Sequence, residues 1–249
     1  MIDGAGMLGA PLLFAIELTV LYGAGTYVMG RLIGFSGFGG GGSALGRLAF
    51  YVLVFPGVVL HEGAHYLACV LTGTKVTRFA PFSPGRSNDG RLLLGYVRHE
   101  RRVFPVGAII GLAPILLNPL GLLLVTALLT PLTLQEVARP TAEGLVEGLF
   151  GSGFLTDTPL LATLWAYLSL SFALGSVPSR EDLSSLPLLL VVFGVGILLI
   201  DLLRTGSERV LLPAIYDLSA LAAGLYALPA IVAVVAALTM GLAGRAIRR

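Results

Sequence analysis

The sequence predicts an all-α polytopic membrane protein, about six transmembrane helices with a small β-hairpin or sheet at the cytoplasmic membrane face. Three observations carry this expectation. Of the 249 residues, 56% are hydrophobic and 12% charged, whereas soluble domains carry roughly a quarter charged residues. The apolar residues gather into runs of about 20, the length that crosses a hydrocarbon core at 1.5 Å rise per residue. Between the second and third runs, two β-prone segments flank a group of turn-forming residues.

The runs fall near residues 8–33, 47–72, 104–129, 159–178, 186–203 and 218–243. The first is too long for a signal-peptide core and has no basic residue ahead of it, so a permanent anchor is expected. Pro213 and Pro229 interrupt the last, and residues 209–222 are an alternative helix lying at the interface. No soluble domain fits between the runs, so residues 1–249 read as one integral membrane domain. The single cysteine, Cys69, excludes an intrachain disulfide and reads as a small buried hydrophobe.

The connections differ in kind. FSGFGGGGSALG (residues 35–46) lacks the Gly-Lys-Ser/Thr of a phosphate loop and reads as a flexible linker. In residues 75–102, β-prone runs at 75–82 and 91–98 flank PGRSNDG, the pattern of a hairpin. Residues 130–158 carry Glu136, Glu143, Glu147 and Asp157 against Arg139, with glycines that weaken any helix. Seven of the sixteen Lys and Arg residues lie in 75–102. Basic residues in short loops are retained in the cytoplasm, so that segment is expected inside. With six spans, Arg245, Arg248 and Arg249 also fall inside and 130–158 outside, while Arg204 and Arg209 fall on the outer side against the trend. Anionic headgroups of the lipid bilayer suffice as partners for the basic loop, and no nucleic acid is called for.

The second run contains FPGVVLHEGAHYLAC (residues 55–69), with two histidines and a glutamate where lipid-compatible residues are the rule. An ionisable side chain at such depth costs several kcal/mol, so it needs a partner or a ligand. On a helix, His61 and His65 lie on one face with Cβ atoms about 5–6 Å apart, close enough for both imidazoles to reach one metal at roughly 2.0–2.1 Å. Glu62, one step round, can avoid the metal yet act on a water as the general base of H-E-x-x-H peptidases does. Random placement of three His and eight Glu would give this pattern about once in a thousand such chains, so chance is a poor explanation.

A catalytic zinc needs a third protein ligand and an open position. The candidates are His99, Glu17, Asp201, Asp217 and the pair Glu181-Asp182 in LGSVPSREDLSSLP. Depth favours the pair, because the fourth run ends on the side toward which His61 and His65 are biased, and Pro178 can turn the chain back. Asp182 is the expected ligand and Glu181 the alternative.

In these residues the chain resembles the site-2 protease family of intramembrane zinc metalloproteases. The resemblance covers roughly residues 50–187. FPGVVLHEGAHYLA looks like the family's zinc-binding helix, and a β-rich segment, GAIIGLAPILLN and a later span with a proline and an aspartate follow. The family commonly has Asn-x-x-Pro before the third ligand and Gly after it, where this chain has Gly175-Ser176-Val177-Pro178 and Asp182-Leu183. The family's Ala-Gly-Pro-x-x-Asn is approximated by Ala113-Pro114-Ile115-Leu116-Leu117-Asn118. No room remains for a PDZ or CBS domain. The resemblance implies a protease-like core at about 47–187, with accessory spans at 8–33, 186–203 and 218–243. It also implies Zn2+ held by His61, His65 and Asp182, with Glu62 activating water. Asn118 and Ser176 are expected to supply polar contacts to a membrane-protein or peptide substrate. An edge strand within 75–98 is expected to pair with that substrate once it is unwound. Two other classes fit the motif: a metal transporter, for which Glu17 is the only other carboxylate near mid-span, and a membrane scaffold with a structural zinc.

Overall fold

Uninterrupted apolar runs become helices because a helix satisfies its own backbone polar groups without water. The computed structural model describes residues 9–36, 44–86, 92–133, 147–149, 151, 153–176 and 208–246. In chain order these form α1 (Gly9–Ser36), α2 (Ala44–Leu71), β1 (Val76–Ala80), β2 (Gly85–Arg86), β3 (Leu92–Leu93) and β4 (Tyr96–His99). There follow α3 (Val106–Leu129), the short α4 (Phe154–Asp157), α5 (Pro159–Gly175) and α6 (Glu208–Ala246). Among the described residues, α1, α2, α3 and Pro213–Leu242 of α6 are long and apolar enough to cross a membrane, and α5 is a shorter apolar helix of 17 residues. Each expected span therefore coincides with a helix except 186–203, which lies outside the described residues together with Glu181, Asp182 and Asp201. The alternative of a separate interfacial helix at 209–222 is not realised, because α6 continues for 39 residues through both Pro213 and Pro229.

Specific contacts fix the helix directions. Tyr167 donates to the Val52 carbonyl and Gly57 N–H donates to Ser171 Oγ, so α2 and α5 run parallel. His65 meets Ile110 while Leu60 lies against Gly121, so α3 runs antiparallel to α2. Phe14 packs on Tyr226 at the start of the α1–α6 contact, and Arg31 Nη2 donates to the Met240 carbonyl at its end, so α1 and α6 are parallel. Small residues line the α6 interface, with Ala222, Ala223, Ala227, Ala230 and Ala233 buried, which lets apolar helices approach closely where van der Waals packing drives association.

The end of α2 is a Schellman turn. Gly73 has φ +63, Thr74 N–H donates to the Cys69 carbonyl at 2.8 Å and Gly73 N–H to Val70 at 3.2 Å, so glycine supplies the left-handed residue that satisfies the last carbonyls. The chain then reverses. β1 pairs antiparallel with β4 and β2 with β3, in two short ladders joined by Ser83 N–H to the Leu94 carbonyl at 2.6 Å. This hairpin does not project beyond α2 but lies back along it. Phe79 stacks on Tyr66 at 4.6 Å, and Phe82 meets Phe55 and Tyr51 at 5.0 and 5.9 Å. Tyr51 is twenty residues before the end of α2, about 30 Å along its axis.

Two cores result. Leu21, Leu122, Trp165, Ala173, Leu225 and Tyr226 join α1, α3, α5 and α6. Ala64, Ala68, Cys69, Ile110 and Ala113 join α2 to α3, with Val76 and Val97 of the hairpin packed against them.

Candidate metal centre

Both histidines of the motif are oriented by backbone carbonyls that the helices cannot use themselves. His61 Nδ1 lies 2.6 Å from the Gly175 carbonyl, and His65 Nδ1 lies 2.8 Å from the Ile110 carbonyl. A carbonyl oxygen only accepts, so each Nδ1 carries the proton and each Nε2 presents its lone pair. Gly175 is the last residue of α5, where carbonyls have no intrahelical partner. Ile110 is four residues before Pro114, whose ring has no N–H to bond back to it. Sequence reasoning did not reach either anchor. A proline four residues after a carbonyl is the signal that would have found Ile110, whereas Gly175 becomes an anchor only through the α2–α5 packing.

The two Nε2 atoms converge to 3.1 Å, with the rings at 80° and their centroids 4.8 Å apart. Two ligands on a tetrahedral zinc, each about 2.0–2.1 Å from the metal, are about 3.3 Å apart. The residues present therefore fit a zinc ion as its first two ligands, in the tautomer and with the carbonyl support that metal-binding histidines have. His65 is buried and His61 half-buried, which keeps competing water from much of the site.

Close backbone approach brings these groups together. A Cβ on Gly57 would overlap the Ser171 carbonyl, and one on Gly175 would overlap the Gly57 backbone. The α2–α5 crossing thus tolerates only hydrogen at Gly175 and at Gly57, the latter one helical turn before His61. Pro56 lowers the cost of this contact. It leaves the Val52 carbonyl without its helical donor, and Tyr167 of α5 supplies one.

Glu62 is half-buried and points to the hairpin side of α2, where a Cβ on Gly95 would lie 2.7 Å from its Cγ. The absence of a side chain at Gly95 leaves room for the carboxylate. Asn118 and Ser176 are brought together and have no solvent exposure: Asn118 Nδ2 donates to Ser176 Oγ at 2.9 Å. Asn118 Oδ1 has no hydrogen-bond partner among the described residues. His99 sits at the end of β4 and donates from Nδ1 to the Glu100 carbonyl at 2.7 Å, Glu17 is on α1, and Asp217 is exposed on α6. Among the described residues no group of three His, Cys, Asp or Glu forms a metal site; the expected third ligand, Asp182, and its alternative Glu181 lie outside them. No family model, curated protein or solved structure matches the chain.

Proposed function

We propose that the chain is an intramembrane zinc metalloprotease acting on peptide bonds of membrane-embedded or membrane-proximal segments. The observation that carries this reading is the convergence of the His61 and His65 Nε2 atoms to 3.1 Å, with both Nδ1–H groups committed to carbonyls. Asp182 is the proposed third ligand, with Glu181 as the alternative. The Gly175 carbonyl is bonded to His61, and the seven residues from Gly175 to Asp182 are chain enough for either acid to reach the histidines.

Zinc in this site supplies Lewis acidity, lowering the pKa of water and polarising a peptide carbonyl. Glu62 takes a proton from the attacking water as its oxygen adds to the carbonyl carbon. It then returns that proton to the amine nitrogen as the C–N bond breaks. Gly95, between β3 and β4, lies beside Glu62, and a hairpin edge is the proposed place for an unwound substrate to pair through its main chain. Asn118 Oδ1, buried and without a partner among the described residues, is the acceptor proposed for a substrate N–H.

In the proposed topology the basic 75–102 segment is cytoplasmic, and α2, α3 and α5 supply the three crossings between α1 and α6. That count gives the parallel direction of α1 and α6, and it moves Arg204 and Arg209 to the cytoplasmic side with the other basic residues. Arg245, Arg248 and Arg249 then leave on the outer side.

Metal removal tests the reading. Detergent-solubilised protein treated with 1,10-phenanthroline is expected to lose cleavage of a single-span model substrate whose helix is weakened by Gly and Pro. Restoring about one equivalent of zinc per chain should recover it. Cleavage that persists after the zinc has gone would exclude a zinc peptidase.

A further inference from the structure

The α1–α6 pair touches the metal centre through one buried polar chain. Tyr226 of α6 has no solvent exposure, and its hydroxyl lies 2.7 Å from Ser176 Oγ. The Ser176 hydroxyl donates its only proton to the Phe172 carbonyl at 2.8 Å and accepts from Asn118 Nδ2 at 2.9 Å. Tyr226 must therefore be the donor in the bond it makes to Ser176. The ring also touches Phe14 of α1 at 5.7 Å, a contact outside the hydrogen-bonded chain.

Ser176 owns the N–H of the peptide unit whose carbonyl is Gly175 O. Because the peptide is planar, fixing one end fixes the other. The N–H end is held by Phe172 and Ala173 carbonyls at 3.0 and 3.1 Å, and the side chain by Asn118 and Tyr226. The carbonyl end accepts from His61 Nδ1 at 2.6 Å. We propose that Tyr226 is a positioning residue for His61: through Ser176 it holds the Gly175 carbonyl in the direction that keeps His61 Nε2 facing His65. This rests on the metal-centre reading and assigns to the accessory helix α6 a part in metal affinity.

Loss of an outer partner of a metal ligand costs about 10–100-fold in affinity, and Tyr226 acts through Ser176, so the lower end applies. Cobalt(II) titration of the purified full chain should show Tyr226→Phe binding about tenfold more weakly than wild type, with an altered visible spectrum at saturation. General loosening of the fold would not alter that saturated spectrum. Ser176→Ala should give the same weakening, and adding Tyr226→Phe to it should weaken binding no further, since both break one chain. Phe14→Leu, which leaves the hydroxyl in place, should bind cobalt as wild type does. If Tyr226→Phe folds poorly, Ser176→Ala is held to the same spectral result. Wild-type affinity and spectrum in both Tyr226→Phe and Ser176→Ala would overturn the role of Tyr226 and leave the metal centre standing. Failure of the wild-type chain to bind cobalt would overturn both.

Discussion

Replacing His61 and His65 together by Ala is expected to abolish the proposed zinc binding, from about one ion per chain to none. The expectation is that strong because the two side chains supply both nitrogen donors. Their tautomers are already fixed by the Gly175 and Ile110 carbonyls, so little reorganisation opposes binding in the wild type. Mass spectrometry of metal content, normalised to folded protein, reads the result. Undiminished zinc in the double variant would place the metal elsewhere.

Gly57→Ala should be the most damaging single methyl that can be added near the centre. Its Cβ would overlap the Ser171 carbonyl and approach the Gly175 nitrogen to 3.2 Å, and these are backbone atoms that cannot swing aside. The helices must separate, at a cost of about 1–3 kcal/mol for overpacking. Separation also pulls the Gly175 carbonyl away from His61, so zinc binding should weaken by at least about tenfold. Gly63→Ala is the matched control. It lies two residues from each histidine, yet nothing stands within 4 Å of its Cβ, and Ala for Gly in a helix gains up to about 1 kcal/mol. Thermal unfolding in detergent and zinc titration should therefore separate the two variants. Equal behaviour would mean that the α2–α5 crossing is looser than its geometry.

The helices and the pair His61/His65 were legible in the sequence because hydropathy and i,i+4 spacing are local properties. The hairpin was legible as β structure from the β-prone runs on either side of PGRSNDG, but not its course, nor that Gly85–Arg86 of that expected turn pair as β2 with Leu92–Leu93. Whether Phe79 and Phe82 project beyond α2 or stack on Tyr66 and Phe55 depends on contacts between segments, and basic residues in the same stretch pointed to the membrane face. With 186–203 counted as one crossing α6 is expected antiparallel to α1, and that run lies outside the described residues. The Phe14–Tyr226 and Arg31–Met240 contacts give α6 the same direction as α1. Asn118 and Ser176 were singled out through a family pattern, and the pattern did not reveal that they bond to each other or that Tyr226 joins them. The need for glycine at 57 and 175 arises only where the two helices touch.

The central claim is that this site hydrolyses peptide bonds with Glu62 as the proton carrier, and Glu62→Gln tests it most directly. Gln keeps the size of the side chain beside Gly95 and leaves both histidines and their carbonyl anchors untouched, but it cannot accept a proton at neutral pH. Purified Glu62→Gln should retain about one zinc per chain while cleavage falls by about 10²–10⁴-fold, the contribution of general acid–base catalysis. In cells carrying the variant, uncleaved membrane substrates should accumulate relative to wild type. Zinc retained with cleavage undiminished, or no cleavage by the zinc-loaded wild type of any substrate that accumulates in the variant strain, would contradict the proposed function.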